Sequence, residues 1–246
     1  MLSRFFGIGC VSLLAGSAFG QQTSIGQAGA AAQANMDALV DGAAAVLPRG
    51  NSYGTIGTPY VDNRWLQGHL LMTTGVPLAP IPLKYDVLNR RLLMRPLNRR
   101  DSLALDDRKL AGFELDVPVG LQPAHKRTFR RFLESPVPAQ RAEYVEVLHA
   151  GKYTLLKRFG KTLLKASYQG AYSSGERYDK IEDKPTYFLL RPDQKLEPVK
   201  LTLKALQAAA PELAPALKNA PGSSQAKTEA EWAAVLAAID AKAAAE

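Results

Sequence analysis

Cysteine occurs once in the 246 residues of the chain, at Cys10. A single thiol closes no disulfide within its own chain and builds no thiolate metal site. Histidine is nearly as scarce: His69, His125 and His149 are the three. No two of them lie at metal-ligand or helical spacing, so each reads as a strand or loop histidine without a catalytic task. No Gly-x-Ser-x-Gly elbow is present, and Ser174 in Tyr172-Ser173-Ser174-Gly175 lacks that arrangement. No glycine-rich phosphate loop occurs. The adjacent acids Asp106-Asp107 and Glu182-Asp183 sit in polar stretches. Neighbours on a loop do not face each other as glycoside hydrolysis requires, so these read as solvated turn acids. The sequence therefore designates no metal ligand, no cofactor site and no catalytic residue.

Long apolar runs are missing too. A membrane helix needs about 20 apolar residues. The apolar stretch at residues 5–14 is shorter, follows Arg4, and leads to Ala18-Phe19-Gly20. A basic start, an apolar middle and small residues at the end describe a secretory signal, with cleavage expected before Gln21. Gly7-Ile8-Gly9 before Cys10 does not match lipoprotein processing, because the leucine at the third preceding position is absent. The mature chain is thus expected to be cysteine-free and exported, in the periplasm or the medium. Export permits disulfides without requiring them. A domain of this length buries enough apolar surface to be stable without any.

What the chain has in excess is positive charge. The formal net charge is +8, one less once Arg4 is removed. Basic residues recur at Arg90, Arg91, Arg95, Arg99 and Arg100, then Lys126, Arg127, Arg130 and Arg131, then Lys152, Lys157, Arg158, Lys161 and Lys165. Such a surface attracts anionic partners over long range. For an exported chain these are lipid headgroups, lipopolysaccharide, acidic glycans or acidic proteins, and not nucleic acid. The same residues also read as the solvated faces of strands.

Residues 21–34 are rich in Gln, Ala, Gly and Ser and predict a flexible leader. Met36, Leu39, Val40, Ala43, Val46 and Leu47 recur at helical spacing, and Pro48-Arg49-Gly50 would stop that short helix. From Tyr60 to Lys200 the apolar runs shorten and turn residues punctuate them. Ile81, Leu83, Tyr85 and Val87 alternate with polar or proline positions, the period of a half-buried strand. Pro80 and Pro82 predict that this strand begins at a sheet edge. Asn89-Arg90 turns into Leu92-Leu93-Met94. Phe113 and Leu115 begin a strand that Pro118, Gly120 and Pro123 are expected to end in a loop. Ala150-Gly151 joins two strands, with Gly151 expected at positive φ. Pro192-Asp193-Gln194 joins two more. Roughly nine or ten strands at this spacing predict an antiparallel sandwich or curled barrel.

Residues 169–184 read as a long polar loop, disordered or functional, with Tyr172 and Tyr178 beside Arg177 and Lys180. Thr202 can cap a helix bearing Leu203 and Leu206, and Pro211 begins a second short piece. Pro221-Gly222-Ser223-Ser224 reads as a linker. Thr228 with Glu231 forms a capping box, and Trp232, Val235, Leu236 and Ile239 form one apolar stripe. That stripe is expected to bury against the sheet, or else against a partner protein.

Gly57-Thr58-Pro59-Tyr60, then Trp65 to Gly68, then Leu83-Lys84-Tyr85-Asp86 read as the start of a β-domain with aromatic core anchors. This succession resembles the opening of a family of exported, uncharacterised proteins of Bacteroidota-type bacteria. Tyr144 to Gly151, Leu155 to Arg158, Tyr187 to Leu189 and the helical tail resemble its later segments. The resemblance implies a β-rich envelope protein and carries no catalytic residue.

The expected division is a signal peptide at 1–20, a leader with a short helix at 21–56, a β-rich domain at 57–201 and a helical segment at 202–246. The expected fold is mainly β: an antiparallel curled sheet, sandwich or barrel-like, with C-terminal α-helices. The expected function is a non-enzymatic binding or structural component of the bacterial cell envelope. Its partner would be an anionic envelope component or another envelope protein. The alternative is an exported hydrolase with an unrecognised site. An outer-membrane barrel is disfavoured, because charges facing lipid are costly and the chain ends in a helix.

Overall fold

The computed structural model describes residues 29, 32–36, 45–46, 54–76, 78–96, 101–120, 122–167 and 178–245. The expected signal peptide and cleavage point, most of the leader, and Tyr172, Ser174 and Arg177 lie outside the described residues.

Short alternating apolar runs produce strands, and the described residues form two sheets. The strands are β1 (Ala45–Val46), β2 (Thr55–Ile56), β3 (Leu66–Met72), β4 (Ile81–Asp86), β5 (Arg91–Met94), β6 (Ser102–Ala104) and β7 (Leu110–Val119). There follow β8 (Gln122–Arg131), β9 (Tyr144–His149), β10 (Thr154–Arg158), β11 (Lys161–Leu164), β12 (Asp179–Asp183), β13 (Thr186–Leu190) and β14 (Leu196–Val199). Eleven make one sheet in the order β1-β6-β5-β4-β3-β7-β8-β9-β10-β13-β14, and β11-β12-β2 make a small second one. Every pairing in the large sheet is antiparallel, whereas β2 joins β12 in parallel. The protein is therefore mainly β, and the large sheet stays open, with β1 and β14 at its edges.

The large sheet curls around its own core. β4 and β9 are four strand positions apart, about 19 Å in a flat sheet at about 4.8 Å per step. Yet the amide of Tyr144 on β9 donates to the Tyr85 hydroxyl of β4 at 3.1 Å. The concave side holds a buried aromatic cluster. Phe113 stacks on Phe129 at 4.7 Å, and Tyr144 meets Phe113 edge-on at 5.0 Å. Leu66, Leu83, Leu92 and Met94 pack around these rings. Met36, on the helical residues 32–36, plugs the same core.

The far end of the sheet is covered by helices α1 (Leu203–Ala209), α2 (Ala214–Asn219) and α3 (Glu229–Ala245). Thr202 caps α1 by accepting the Ala205 amide. The capping box at α3 forms as read: Glu231 accepts the Thr228 amide at 2.9 Å, and Thr228 accepts the Glu231 amide at 3.3 Å. Trp232, Val235 and Leu236 are buried against Tyr153, Leu155 and Leu189 of the sheet region. The apolar stripe thus packs on its own chain. Pro221 to Ser224 is a turn with Ser223 buried, not an open linker.

Five further points of the fold depart from the sequence reading. Helical residues occur at 32–36, inside the stretch read as leader, while Val46 lies in β1, where it pairs with Ser102 and not with a helix. β4 is an interior strand, flanked by β3 and β5. Its Pro82 is tolerated because the β4–β5 ladder starts one residue later, at Leu83↔Met94, and Pro82 still accepts the Arg95 amide. Pro118 and Pro123 do not end a strand in a loop but sit at the tip of the long β7–β8 hairpin. A register irregularity between Val117 and Val119 absorbs Pro118 there. Residues 179–183, read within the polar loop, form β12, paired to β11 from Lys161↔Asp183 to Leu164↔Lys180. Finally, Gly151 is absent from the positive-φ glycines, which are Gly54, Gly57, Gly75, Gly120 and Gly222 among the described residues. Space is what Gly151 supplies: a Cβ there would collide with the Asp240 carboxylate and come within 2.7 Å of His149 Nε2.

Candidate functional site: an arginine-lined cleft

An open cleft of about 670 Å³ lies where the starts of β7 and β9 meet the end of β8, within the size range of small-molecule sites. Arg108, Arg130, Arg131 and Arg141 line it, over apolar ground that includes Leu110 and Leu133. Among the described residues its lining holds no histidine, carboxylate, thiol or amine, and its one hydroxyl, Thr73, donates to the Lys109 carbonyl at 3.1 Å.

Local structure sets each cation. Arg108 sits in the 3₁₀ turn Asp107–Lys109 that feeds β7. Arg130 and Arg131 end β8, opposite Gly112 and Tyr144 respectively. At Gly112 a Cβ would strike the Phe129 carbonyl, so glycine lets β7 and β8 close up beneath Arg130. Arg141 follows the 3₁₀ turn Pro138–Gln140, which opens with proline at its first position. The connection carrying Arg141 is stitched by buried Ser135. Its hydroxyl donates to Gln140 Oε1 at 2.9 Å and accepts the Val137 amide at 3.2 Å.

The four guanidiniums differ in how far they are already engaged. Arg108 makes two bonds to Asp106, at 2.8 and 2.6 Å. These bonds hold the Asp106 carboxyl down to about 2. Arg130 donates to both oxygens of Glu134 at 2.9 Å. Arg131 donates to the Ala142 carbonyl and lies over the Tyr144 ring at 4.3 Å. Arg141 uses Nε on the Ser135 carbonyl at 2.9 Å and makes no ion pair among the described residues. Such a site can hold an anion by charge-assisted, bidentate hydrogen bonds. Among the described residues it pairs its one hydroxyl, Thr73, with no base.

The other residues singled out in the sequence fall elsewhere. His69 Nε2 meets Asp116 Oδ2 at 3.0 Å on the β3–β7 pair, and His149 Nε2 meets Asp240 Oδ2 at 2.8 Å. His125 is exposed on β8. No described hydroxyl is hydrogen-bonded to any of these rings. Among the described residues no three metal-ligating side chains cluster. Asp106 serves Arg108, while Glu182 pairs with Lys180 and Lys184. Tyr178 is exposed.

The motif from Gly57 to Asp86 turns out to be a clamp. Residues 59–61 pair with β4: Val61 donates to Tyr85 O, and Val87 donates to Pro59 O, both at 3.0 Å. Residues 62–65 then bulge out before β3 begins. Lys84 fills that bulge, donating to the Asn63 carbonyl at 2.7 Å with its ammonium 4.7 Å from the Tyr60 ring and 4.9 Å from the Trp65 ring. Burial pushes the Lys84 ammonium below its ordinary value, against the pull of Asp62. Tyr60 and Trp65 are half-buried walls of this cage, not the core anchors expected. Gly57 has φ 96°, and a Cβ there would meet the Ile181 carbonyl at 2.6 Å, so only glycine brings this segment against β12.

Fold and site together define a mainly β protein with an open curled sheet, a docked helical tail and a basic cleft. No protein-family model, curated protein or solved structure matches the chain. No described helix is long and apolar enough to cross a membrane.

Proposed function

We propose that this chain is an exported, non-enzymatic binding or structural protein of the bacterial cell envelope, and that its cleft engages an anionic envelope component. The carrying observation is the convergence of Arg108, Arg130, Arg131 and Arg141 on one cleft, whose one lining hydroxyl among the described residues, Thr73, donates to the Lys109 carbonyl and meets no base. Export is supported by the order of Arg4, the apolar residues 5–14 and Ala18-Phe19-Gly20. The resemblance carried by Gly57 to Tyr60 and Leu83 to Asp86 supports an envelope location.

Two measurements test this reading. N-terminal sequencing of the protein from its native host should begin at or beside Gln21, and retention of Met1 would refute export. The mature protein in the envelope fraction should be released by salt, because the screening length falls from about 10 Å at 0.1 M to about 3 Å at 1 M. Association indifferent to salt would refute anionic engagement.

The second reading is an exported hydrolase. The two histidine–aspartate pairs, His69–Asp116 and His149–Asp240, favour it, because a carboxylate-oriented imidazole is the base of acyl-transfer sites. In that arrangement the carboxylate faces Nδ1 and leaves Nε2 for the nucleophile. Here Nε2 itself faces the carboxylate in both pairs.

A further inference from the structure

We infer that the arginine-lined cleft binds a single-chain lipid phosphate, with Arg141 and Arg108 on the headgroup and the acyl chain along Leu133, Ala111 and Ala142. This deepens the anion-binding reading above and rests on it.

Three observations carry the inference. First, the cations and the apolar ground belong to the same cleft. Leu110 is fully buried beneath it, while Leu133 is 66% exposed at its lip beside Arg130 and Arg131. A scattered exposed leucine means little. One placed among four guanidiniums matches a ligand that is apolar at one end and anionic at the other. Second, Arg141 is exposed and bonds through its Nε, and its terminal nitrogens have no carboxylate partner among the described residues. Arg108 is 86% exposed in its side chain, so its guanidinium can turn from Asp106 to a ligand at little cost in burial. Third, the number of donors selects the headgroup. Two of the four arginines already share carboxylates, Asp106 and Glu134. An incoming carboxylate offers two oxygens and one charge, no more than the groups it must displace. A phosphate monoester offers three terminal oxygens and nearly two charges at neutral pH, and it satisfies several arginine forks at once. A volume near 670 Å³ accommodates one chain and one headgroup.

Calorimetric titration of the full chain tests this with three probes: dodecyl phosphate below its micellar concentration, inorganic phosphate, and the uncharged dodecyl maltoside. Dodecyl phosphate should bind about ten-fold or more tightly than inorganic phosphate, as burial of several methylenes requires. Dodecyl maltoside should show no saturable binding. Arg141→Ala should weaken dodecyl phosphate by about ten-fold, the effect of losing one charge-assisted pair. Leu133→Ser, at an exposed position that does not threaten folding, should weaken dodecyl phosphate and leave inorganic phosphate unchanged. Equal affinity for the two phosphates would overturn the lipid assignment while the anion-binding reading stood. Equal affinity for dodecyl phosphate and dodecyl maltoside would overturn the headgroup assignment. Binding unaffected by both substitutions would place the ligand outside the cleft and overturn the inference. Absence of binding by either phosphate would overturn the inference and the anion-binding reading together.

Discussion

Asp240 of α3 reaches across to His149 of β9, Oδ2 to Nε2, at 2.8 Å, and the missing side chain of Gly151 makes room for the contact. The pair fixes the last turns of α3 over the β9–β10 connection. At the other end of the helix, Glu229 accepts from Lys157 at 2.7 Å and from the Tyr187 hydroxyl at 2.6 Å. Between these two anchors lie the buried Trp232, Val235 and Leu236.

Gly151 is therefore expected to tolerate no side chain, for reasons of space and not of backbone conformation. Gly151→Ala should cost about 1–2 kcal/mol, from a crowded contact and a displaced hydrogen bond. The discriminating measurement is a double-mutant cycle in urea. With Asp240→Ala already present, the penalty at Gly151 should fall by about half or more, because the main obstacle has gone. An undiminished penalty would mean that the backbone, not Asp240, demands the glycine.

Trp232 is the central anchor of α3. It is buried, and its Nε1 donates to the Leu201 carbonyl at 3.1 Å. Replacing it by alanine should destabilise the protein by about 3–5 kcal/mol, the range for large aromatic truncations in cores. With Trp65 replaced by Phe so that only Trp232 reports, emission should be that of a shielded indole and should shift to the red on unfolding. A water-exposed spectrum before and after unfolding would refute the docking.

The helical tail was readable from sequence because its signals are local: Thr228 and Glu231 are three residues apart, and the apolar stripe repeats within one helix. The Asn89-Arg90 and Pro192 to Gln194 turns were readable for the same reason, and Arg90 and Gln194 indeed take positive φ. The β7–β8 hairpin was not, because Pro118, Gly120 and Pro123 punctuate the chain as a loop would. Only the partner strand shows that they sit at a hairpin tip. A curled sheet was among the forms expected, but the contact that draws it in, Tyr85 meeting Tyr144 across three intervening strands, leaves no local period. The cleft was hidden likewise. Arg130 and Arg131 stood out as basic residues, but Arg108 and Arg141 join them only through the pairing of β7, β8 and β9.

Lys84 should prove structural despite its unusual surroundings. Its ammonium answers the Asn63 carbonyl, and its stem fills the space under Tyr60 and Trp65. Lys84→Ala should cost about 2–3 kcal/mol, combining a carbonyl left without its donor and lost packing. Lys84→Met, which keeps the stem, should cost less. Urea midpoints decide the matter, and a Lys84→Ala change within about 0.5 kcal/mol of wild type would show that the cage holds nothing in place.

The Glu229 anchor sets a pH window for the docked helix. Burial raises the Glu229 carboxyl, but hydrogen bonds from Lys157 and Tyr187 outweigh it and leave the group below its ordinary 4.5. A carboxyl lowered in the folded state stabilises fully above that ordinary value, and its contribution is lost as pH falls through the folded one. Burial, and then the neighbouring Glu229, raise the Tyr187 phenol above its ordinary 10.0. A raised group contributes fully below its ordinary value, and its contribution is lost as pH rises through the folded one. The helix should thus stay docked from above 4.5 to about 10 and loosen at either end. Glu229→Gln should lower stability at pH 7 by about 1 kcal/mol, a modest figure because the carboxylate is partly solvated. The gap between wild type and variant should close as pH drops below 4.5, since both then carry a neutral side chain there. Tyr187→Phe should similarly lose the alkaline dependence and keep the acid one. Urea midpoints followed through Trp232 emission in the Trp65→Phe background measure both limbs. A gap between wild type and Glu229→Gln that persists undiminished at acid pH would show that the side chain's shape, not its charge, matters at the start of α3.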